Sequence, residues 1–111
     1  MRRPVFYILL SLAERDRHGS SIMRDVLDLT EGELRLWPVS LYGSLEEMRE
    51  EGLIRAVDAP ADSAELEPES GRTRWFRITA AGHRALAAEV SRMESLARVA
   101  KRRLAHIGHS S

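Results

Sequence analysis

The sequence predicts a mainly α-helical α+β fold, in which three helices precede a two-stranded hairpin and a long helix closes the chain. Apolar residues recur every three or four positions before Gly52, which is the spacing of amphipathic helices. Two short runs rich in β-forming residues follow, and a heptad-spaced apolar stripe then extends towards the C-terminus. A length of 111 residues suits one small domain.

Composition and charge narrow the classes of function. The 17 basic and 17 acidic residues give a formal net charge of +0, so any DNA-binding surface must come from local separation of charge. The absence of cysteine excludes disulfides and thiolate metal sites. The apolar run from Val5 to Leu12 is too short to span a bilayer, and no small-residue cleavage site follows it. We therefore expect a cytoplasmic protein without a membrane partner.

The first helix is predicted from Pro4 to Glu14 and is apolar on two sides. One stripe has the i, i+3, i+4, i+7 spacing of an inward face: Val5, Ile8, Leu9 and Leu12. The other side carries Phe6, Tyr7 and Leu10. A helix that is apolar nearly all round is buried on two sides, so we expect its second side to contact another subunit.

A charged turn, Arg15 to Gly19, is predicted to separate this helix from the second. Ser20 or Ser21 can cap the second helix, which runs to about Leu29. Its inward residues are expected to be Ile22, Val26 and Leu29. The glycine-containing segment from Thr30 to Glu33 ends it.

The third helix is predicted over residues 38–51, with Leu41, Leu45 and Met48 on its inner face. Gly52 follows at the position of a left-handed cap. If Pro38 is the first helical residue, Leu36 and Leu41 form a hydrophobic staple. Small and polar residues crowd the first turns away from the core: Ser40, Tyr42, Gly43 and Ser44. The pattern alone fits either an ordinary core helix or a recognition helix laid in a DNA groove.

Two strand predictions, Leu53 to Val57 and Thr73 to Thr79, form a hairpin over residues 53–79. The run from Asp58 to Gly71 is rich in alanine, proline, aspartate, serine and glutamate, and it is expected to be the hairpin tip.

The last helix is predicted from Ala80 to about His106. Its heptad seam consists of Leu86, Val90, Met93, Ala97, Ala100 and Leu104. A small domain cannot cover so long a stripe, which favours a homodimer. The alternative is a helix folded back on its own core. The expected dimer interface combines this seam with Phe6, Tyr7 and Leu10.

No constellation of residues indicates an enzyme. The histidines are His18, His83, His106 and His109. His106 and His109 can share a helix face, but a structural metal site needs four ligands. A glycine-rich phosphate loop is also absent from the sequence. We expect no catalytic residue, no cofactor and no metal site.

The order of three helices, hairpin and helix is that of the winged helix-turn-helix. Three segments also match one family: ILLSLAERDRHGSSI (8–22), LWPVSLYGSLEEMREEGLI (36–54) and RWFRITAAGHRAL (74–86). The second is similar to the family pattern LY..L..L...GLI and the third to Y.LT..G...L. Over nearly its whole length the chain resembles the PadR-type transcriptional regulators. The resemblance implies a winged helix-turn-helix DNA-binding domain at 1–79 and a C-terminal dimerisation helix and tail at 80–111.

The resemblance further implies a homodimeric regulator, often a repressor, that binds double-stranded DNA. The recognition-helix contacts are expected within 39–44: Val39, Ser40, Tyr42, Gly43 and Ser44. The wing contacts are expected to be Arg72, Arg74 and Arg77. Some relatives bind a small aromatic or drug-like effector near the dimer interface. Two interpretations of Phe6, Tyr7 and Met93 are open: they line an effector pocket at the interface, or they only pack the two subunits together.

A second hypothesis is a protein-interaction module that keeps the winged-helix scaffold without DNA binding. It is favoured by the zero net charge and by acidic residues on the outer side of the third helix, Glu46, Glu47 and Glu50. The predicted hairpin tip is also acidic, with Asp62, Glu65, Glu67 and Glu69. Acidic side chains there would repel phosphate.

Overall fold

The computed structural model describes residues 1–60 and 74–110, with side-chain surroundings described as far as residue 106. The elements in chain order are α1 (Arg3–Glu14), β1 (Arg17–His18), α2 (Gly19–Leu29), α3 (Pro38–Glu50), β2 (Ile54–Val57), β3 (Trp75–Ile78) and α4 (Ala80–Ser110). The predicted fold class is confirmed, because the described residues form four helices and a small antiparallel sheet, and the last helix is long. Strand β3 begins at Trp75, and the predicted strand residue Thr73 lies outside the described residues.

The segment predicted as a charged turn contains a strand instead. Arg17 and His18 pair antiparallel with Phe76 and Trp75, which gives a three-stranded sheet in the order β1-β3-β2. The prediction was wrong because two residues are too few to show alternation, and their partners lie far along the chain. The extra strand attaches the connection between α1 and α2 to the wing.

The predicted start of α2 was also wrong. The helix begins at Gly19, with His18 as an extended N-cap residue that makes no side-chain cap. Neither predicted serine caps it, and the Ser21 hydroxyl donates to the His18 carbonyl at 3.0 Å. Because His18 is held in β1, the chain enters the helix directly after the strand.

At the other end of α2, Leu29 is 45% exposed rather than inward. The buried residue here is Thr30, whose hydroxyl donates to the Val26 carbonyl at 2.9 Å and accepts from the Leu34 N–H at 2.9 Å. These bonds satisfy the end of the helix and fix the turn towards α3. Thr30 therefore takes the inward position that was predicted for Leu29, because its hydroxyl completes the hydrogen bonds of the turn.

The core lies where α1 packs against α2, α4 and β3. Its members are Val5, Ile8, Leu9, Leu12, Ile22, Val26, Leu36, Leu41, Leu45, Met48, Ile54, Phe76 and Leu86. On the second apolar side of α1, Phe6, Tyr7 and Leu10 are half-buried and pack around this core. Leu36 and Leu41 are both buried on either side of Pro38, in the positions of the predicted staple.

Helix α3 ends at the predicted glycine, since Gly52 has φ 76°, a conformation that costs a glycine little. Helix α4 follows β3 and packs so closely on the segment after α3 that a Cβ on Gly82 would collide with the carbonyl oxygen of Leu53. At 31 residues, α4 is much longer than the other helices. The molecule accordingly measures 62 × 28 × 25 Å.

Candidate nucleic-acid interface

Helix α3 has one buried face and one open face. Leu41, Leu45 and Met48 are buried in the core. Val39, Ser40 and Gly43 lie exposed on the other side, with Val39 88% exposed. A Cβ on Gly43 would meet no atom within 4 Å. The N-terminal half of α3 therefore offers an unobstructed surface to another molecule.

The first turn of α3 also presents backbone donors. Trp37 occupies the N-cap position without a side-chain cap, and Pro38 is the first helical residue. The first intrahelical bond runs from the Leu41 N–H to the Trp37 carbonyl at 2.8 Å. The N–H groups before Leu41 have no acceptor within a helix. They carry the positive end of the helix dipole, which attracts phosphate.

Tyr42, predicted as a DNA contact, is partly engaged inside the protein. It is 42% exposed, but its ring lies against the backbone of Gly19, where an added Cβ would be 2.9 Å from the ring carbon that bears the hydroxyl. The contact joins α3 to the first residue of α2. Ser44 is half-buried. Of the five predicted residues on α3, the most open are thus Val39, Ser40 and Gly43.

Two of the three acidic side chains of α3, those of Glu46 and Glu47, are paired with arginines. Glu46 accepts from Arg49 at 2.7 Å and from Arg74 at 3.4 Å. Glu47 accepts from Arg2 at 2.7 Å. The arginines come from the N-terminus, from α3 itself and from the base of the wing. Charge on this part of α3 is therefore largely balanced within the chain.

The predicted wing arginines have different surroundings. Arg74 has an exposed side chain and touches only the carboxylate of Glu46 among its described ion pairs. Arg77 makes a two-nitrogen contact with Asp16, at 3.0 Å from Nε and 2.7 Å from Nη2. This hydrogen bond and the charge of Asp16 raise the pKa of the Arg77 guanidinium. Arg72 lies outside the described residues.

Sequence reasoning missed a basic residue beside the start of α3. The guanidinium of Arg35 lies 5.6 Å from the centre of the Trp37 ring, and Trp37 is 63% exposed. A cation over an aromatic face has fewer conformations to lose when it meets an anion. An open cleft lined by Met23, Leu27 and Leu36 lies beside this pair. The available signal was an arginine two positions before the tryptophan that precedes Pro38.

The predicted dimer residues separate into two groups. Leu86 is buried in the core of its own chain, and Phe6, Tyr7 and Leu10 are half-buried beside that core. Along the rest of α4 the seam is open, with Val90 39%, Met93 44% and Leu104 67% exposed. Ala97 and Ala100 are exposed as well, and Leu96, which was not predicted, is 54% exposed. An apolar stripe of this length on a charged helix is typical of an interaction surface.

Within the described residues, every helix is too short or too polar to cross a membrane.

Comparisons with known proteins agree with this arrangement. Solved structures with a similar fold include a PadR family transcription regulator from hypervirulent Clostridium difficile (18% identity, TM-score 0.72, 93% of this chain and 99% of that chain). A transcriptional regulator from Clostridium thermocellum has 19% identity and a TM-score of 0.70, over 89% of this chain and 87% of that one. RosR from H. salinarum has 20% identity and a TM-score of 0.67, over 86% and 76%. At such low identity, these likenesses establish the fold.

The sequence comparisons establish the family. No curated protein sequence matches the chain. Residues 8–88 match the family model described as the transcriptional regulator PadR-like family, and this range runs from α1 through the wing into α4. The chain belongs to the PadR-like family of transcriptional regulators.

Proposed function

We propose that the protein is a sequence-specific DNA-binding regulator that acts as a repressor and binds operator DNA as a homodimer. The observation that carries the proposal is the open N-terminal half of α3. Val39, Ser40 and Gly43 are exposed there, and the helix end is uncapped. A recognition helix enters the major groove in this way, with its N-terminal residues at the base edges.

The exposed residues divide into base contacts and phosphate contacts. Ser40 is a short donor and acceptor for a base edge, and Val39 can contact a thymine methyl group. Gly43 allows the DNA backbone to come close to the helix. Arg74 and Arg35 flank α3 and can neutralise phosphates. Arg72 remains a proposed wing contact, whereas Arg77 is better explained by its pairing with Asp16.

The test is binding of the purified protein to the DNA upstream of its own gene, measured by gel retardation and fluorescence anisotropy at low salt. Arg74→Ala should weaken binding to the upstream DNA and to an unrelated duplex by the same factor, because a phosphate contact carries no sequence information. Ser40→Ala should lower the ratio between the two affinities. A folded wild-type protein that binds neither duplex would refute the proposal.

The homodimer part of the proposal is supported by the open seam of α4. Val90, Met93 and Leu104 repeat at heptad spacing, and a second copy of α4 would remove them from water. Two recognition helices related by a two-fold axis would then meet two half-sites about one helical turn of DNA apart. Light scattering of the wild type should give twice the chain mass.

A small aromatic or drug-like effector is proposed to bind beside this seam. The rings of Phe6 and Tyr7 meet edge to face at 5.2 Å, and both side chains are half-buried in the single chain. Together with Met93 they could line a flat apolar site between subunits. A compound that binds there should release DNA from the wild type and quench tyrosine fluorescence. DNA release that is unchanged in Tyr7→Leu would place the compound elsewhere.

The alternative, a protein-interaction module without DNA binding, rested in part on the acidic outer side of α3. Two of those carboxylates, Glu46 and Glu47, have arginine partners 2.7 Å away. The balanced charges favour the DNA-binding proposal over the alternative.

A further inference from the structure

The carboxylate of Glu46 connects the recognition helix to the wing. Its Oε1 atom lies 2.7 Å from Nη1 of Arg49, one turn along α3, and 3.4 Å from Nη1 of Arg74, which immediately precedes β3. Glu46 and Arg74 are both a little over half exposed. The pair is therefore open to solvent and to any ligand that approaches α3 and the wing together.

The two arginines are held unequally. Charge-assisted bonds between nitrogen and carboxylate oxygen have lengths of about 2.7–2.9 Å. The contact to Arg49 falls in that range, whereas the contact to Arg74 is longer. Since Arg49 already partners the carboxylate, Arg74 can leave Glu46 without leaving it unpaired. Arg74 is thus the partner that an incoming phosphate can take.

We propose that Glu46 competes with DNA phosphate for Arg74. By pairing with this wing arginine, Glu46 lowers the affinity of the protein for DNA of any sequence. The inference rests on the proposed DNA-binding function and adds a role for a residue that touches no base. Glu46 is a positioning residue: it acts through Arg74. Its effect is to reduce binding to non-specific DNA, which supplies most of the competing sites in a genome.

The test compares Glu46→Gln with the wild type on operator and unrelated duplexes. The amide keeps the shape of the side chain but removes the charge that attracts Arg74. An exposed ion pair of this kind is worth a factor of about 1.4 to 5 in an equilibrium constant. Glu46→Gln should therefore tighten binding to both duplexes by about 1.4- to 5-fold at low salt. The gain should shrink as salt rises, because the competing pair is screened.

Repeating the Glu46→Gln substitution in two arginine variants identifies the arginine through which Glu46 acts. In the Arg74→Ala variant, Glu46→Gln should no longer tighten DNA binding, because the arginine that Glu46 pairs with is absent. In the Arg49→Ala variant the gain in affinity should persist. Glu50→Gln is the matched charge control: Glu50 lies on the same helix, is exposed, and has no ion-pair partner among the described residues. It should give a smaller gain than Glu46→Gln.

Other outcomes would overturn the inference in recognisable ways. A Glu46→Gln gain that persists with Arg74→Ala, or that Glu50→Gln equals, would mean simple repulsion between carboxylate and phosphate. A changed sequence preference in Glu46→Gln would make Glu46 a base-reading residue. In both cases the DNA-binding proposal would stand. If no folded variant binds either duplex, the proposed function itself fails, and the inference fails with it.

Discussion

The hydroxyl of Thr79 donates a 2.6 Å hydrogen bond to the carbonyl of Gly52, the residue that follows the C-cap of α3. The same hydroxyl accepts from the Gly82 N–H at 3.0 Å, and the Thr79 N–H donates to the Leu53 carbonyl at 3.0 Å. Thr79 therefore caps the start of α4 and fastens it to the end of α3.

Thr79→Ala should lower the free energy of unfolding by about 1–2 kcal/mol, because it removes an N-cap and a second hydrogen bond. Thr79→Ser keeps the hydroxyl and should lose much less. Urea unfolding followed by circular dichroism measures both. Equal losses in the two variants would show that the methyl group of Thr79, and not its hydroxyl, is what matters.

Gly82→Ala should be destabilising by about 1–3 kcal/mol, since the new methyl group would collide with the Leu53 carbonyl oxygen and force α4 away from α3. Alanine is otherwise the better helix former, so a gain in stability would be expected without this collision. The sign of the change in the free energy of unfolding, measured with denaturant, therefore distinguishes the collision from the helix propensity. An increase in stability would show that α4 does not pack against Leu53 as described.

Gly43→Ala separates folding from DNA binding. A Cβ at this position meets nothing within 4 Å, so alanine should stabilise α3 by about 0.5–1 kcal/mol. If DNA approaches this face closely, the same methyl group should weaken operator binding by roughly 2- to 10-fold, the equivalent of one or two lost hydrogen bonds. Thermal unfolding and anisotropy titrations measure the two effects. Unchanged affinity would mean that the DNA backbone does not approach Gly43.

Asp16→Asn should destabilise the wing. Arg55 and Arg77 are directly opposite each other on β2 and β3, and like charges in that position repel. Asp16 offsets this repulsion through its contact with Arg77. The loss of thermal stability should be largest at low salt and smaller at about 1 M salt. Adding Arg55→Gln to Asp16→Asn should restore part of it, and a failure to do so would exclude repulsion as the cause.

Met93→Glu should shift the proposed homodimer towards monomer, because a carboxylate would be buried in the apolar seam of α4. Ser95→Glu is a matched control, since Ser95 lies on the opposite side of the heptad. Sedimentation velocity over a range of concentrations gives the dissociation constants. A dimer that tolerates Met93→Glu as well as Ser95→Glu would have another interface.

Local patterns were sufficient to predict most of the fold. The inner face of α3, its glycine cap and the order of helices and hairpin depend on residues a few positions apart, where periodicity and capping rules operate. Strand β1 depends on pairing between Arg17 and Phe76, which no local window contains. Leu29 was placed inward by periodicity, but the hydrogen bonds of Thr30 decided the end of α2.

The interface was less predictable than the fold for the same reason. The exposed residues near the start of α3 follow from its periodicity. The partners of its acidic residues do not, because Arg74 is 28 residues from Glu46 and Arg2 is 45 residues from Glu47. A carboxylate that looks unpaired in the sequence can be ion-paired in the fold, because a distant arginine lies beside it.

The junction at Thr79 has a consequence for regulation at a distance. Because Thr79, before the start of α4, is hydrogen-bonded to Gly52 and Leu53 just after α3, a rotation of α4 about its axis or a tilt of α4 would displace the end of α3. In the proposed homodimer, a few degrees of change between the paired α4 helices would alter the separation of the two recognition helices. The homodimer would then bind or release an operator of fixed half-site spacing, although no DNA-contacting residue had changed.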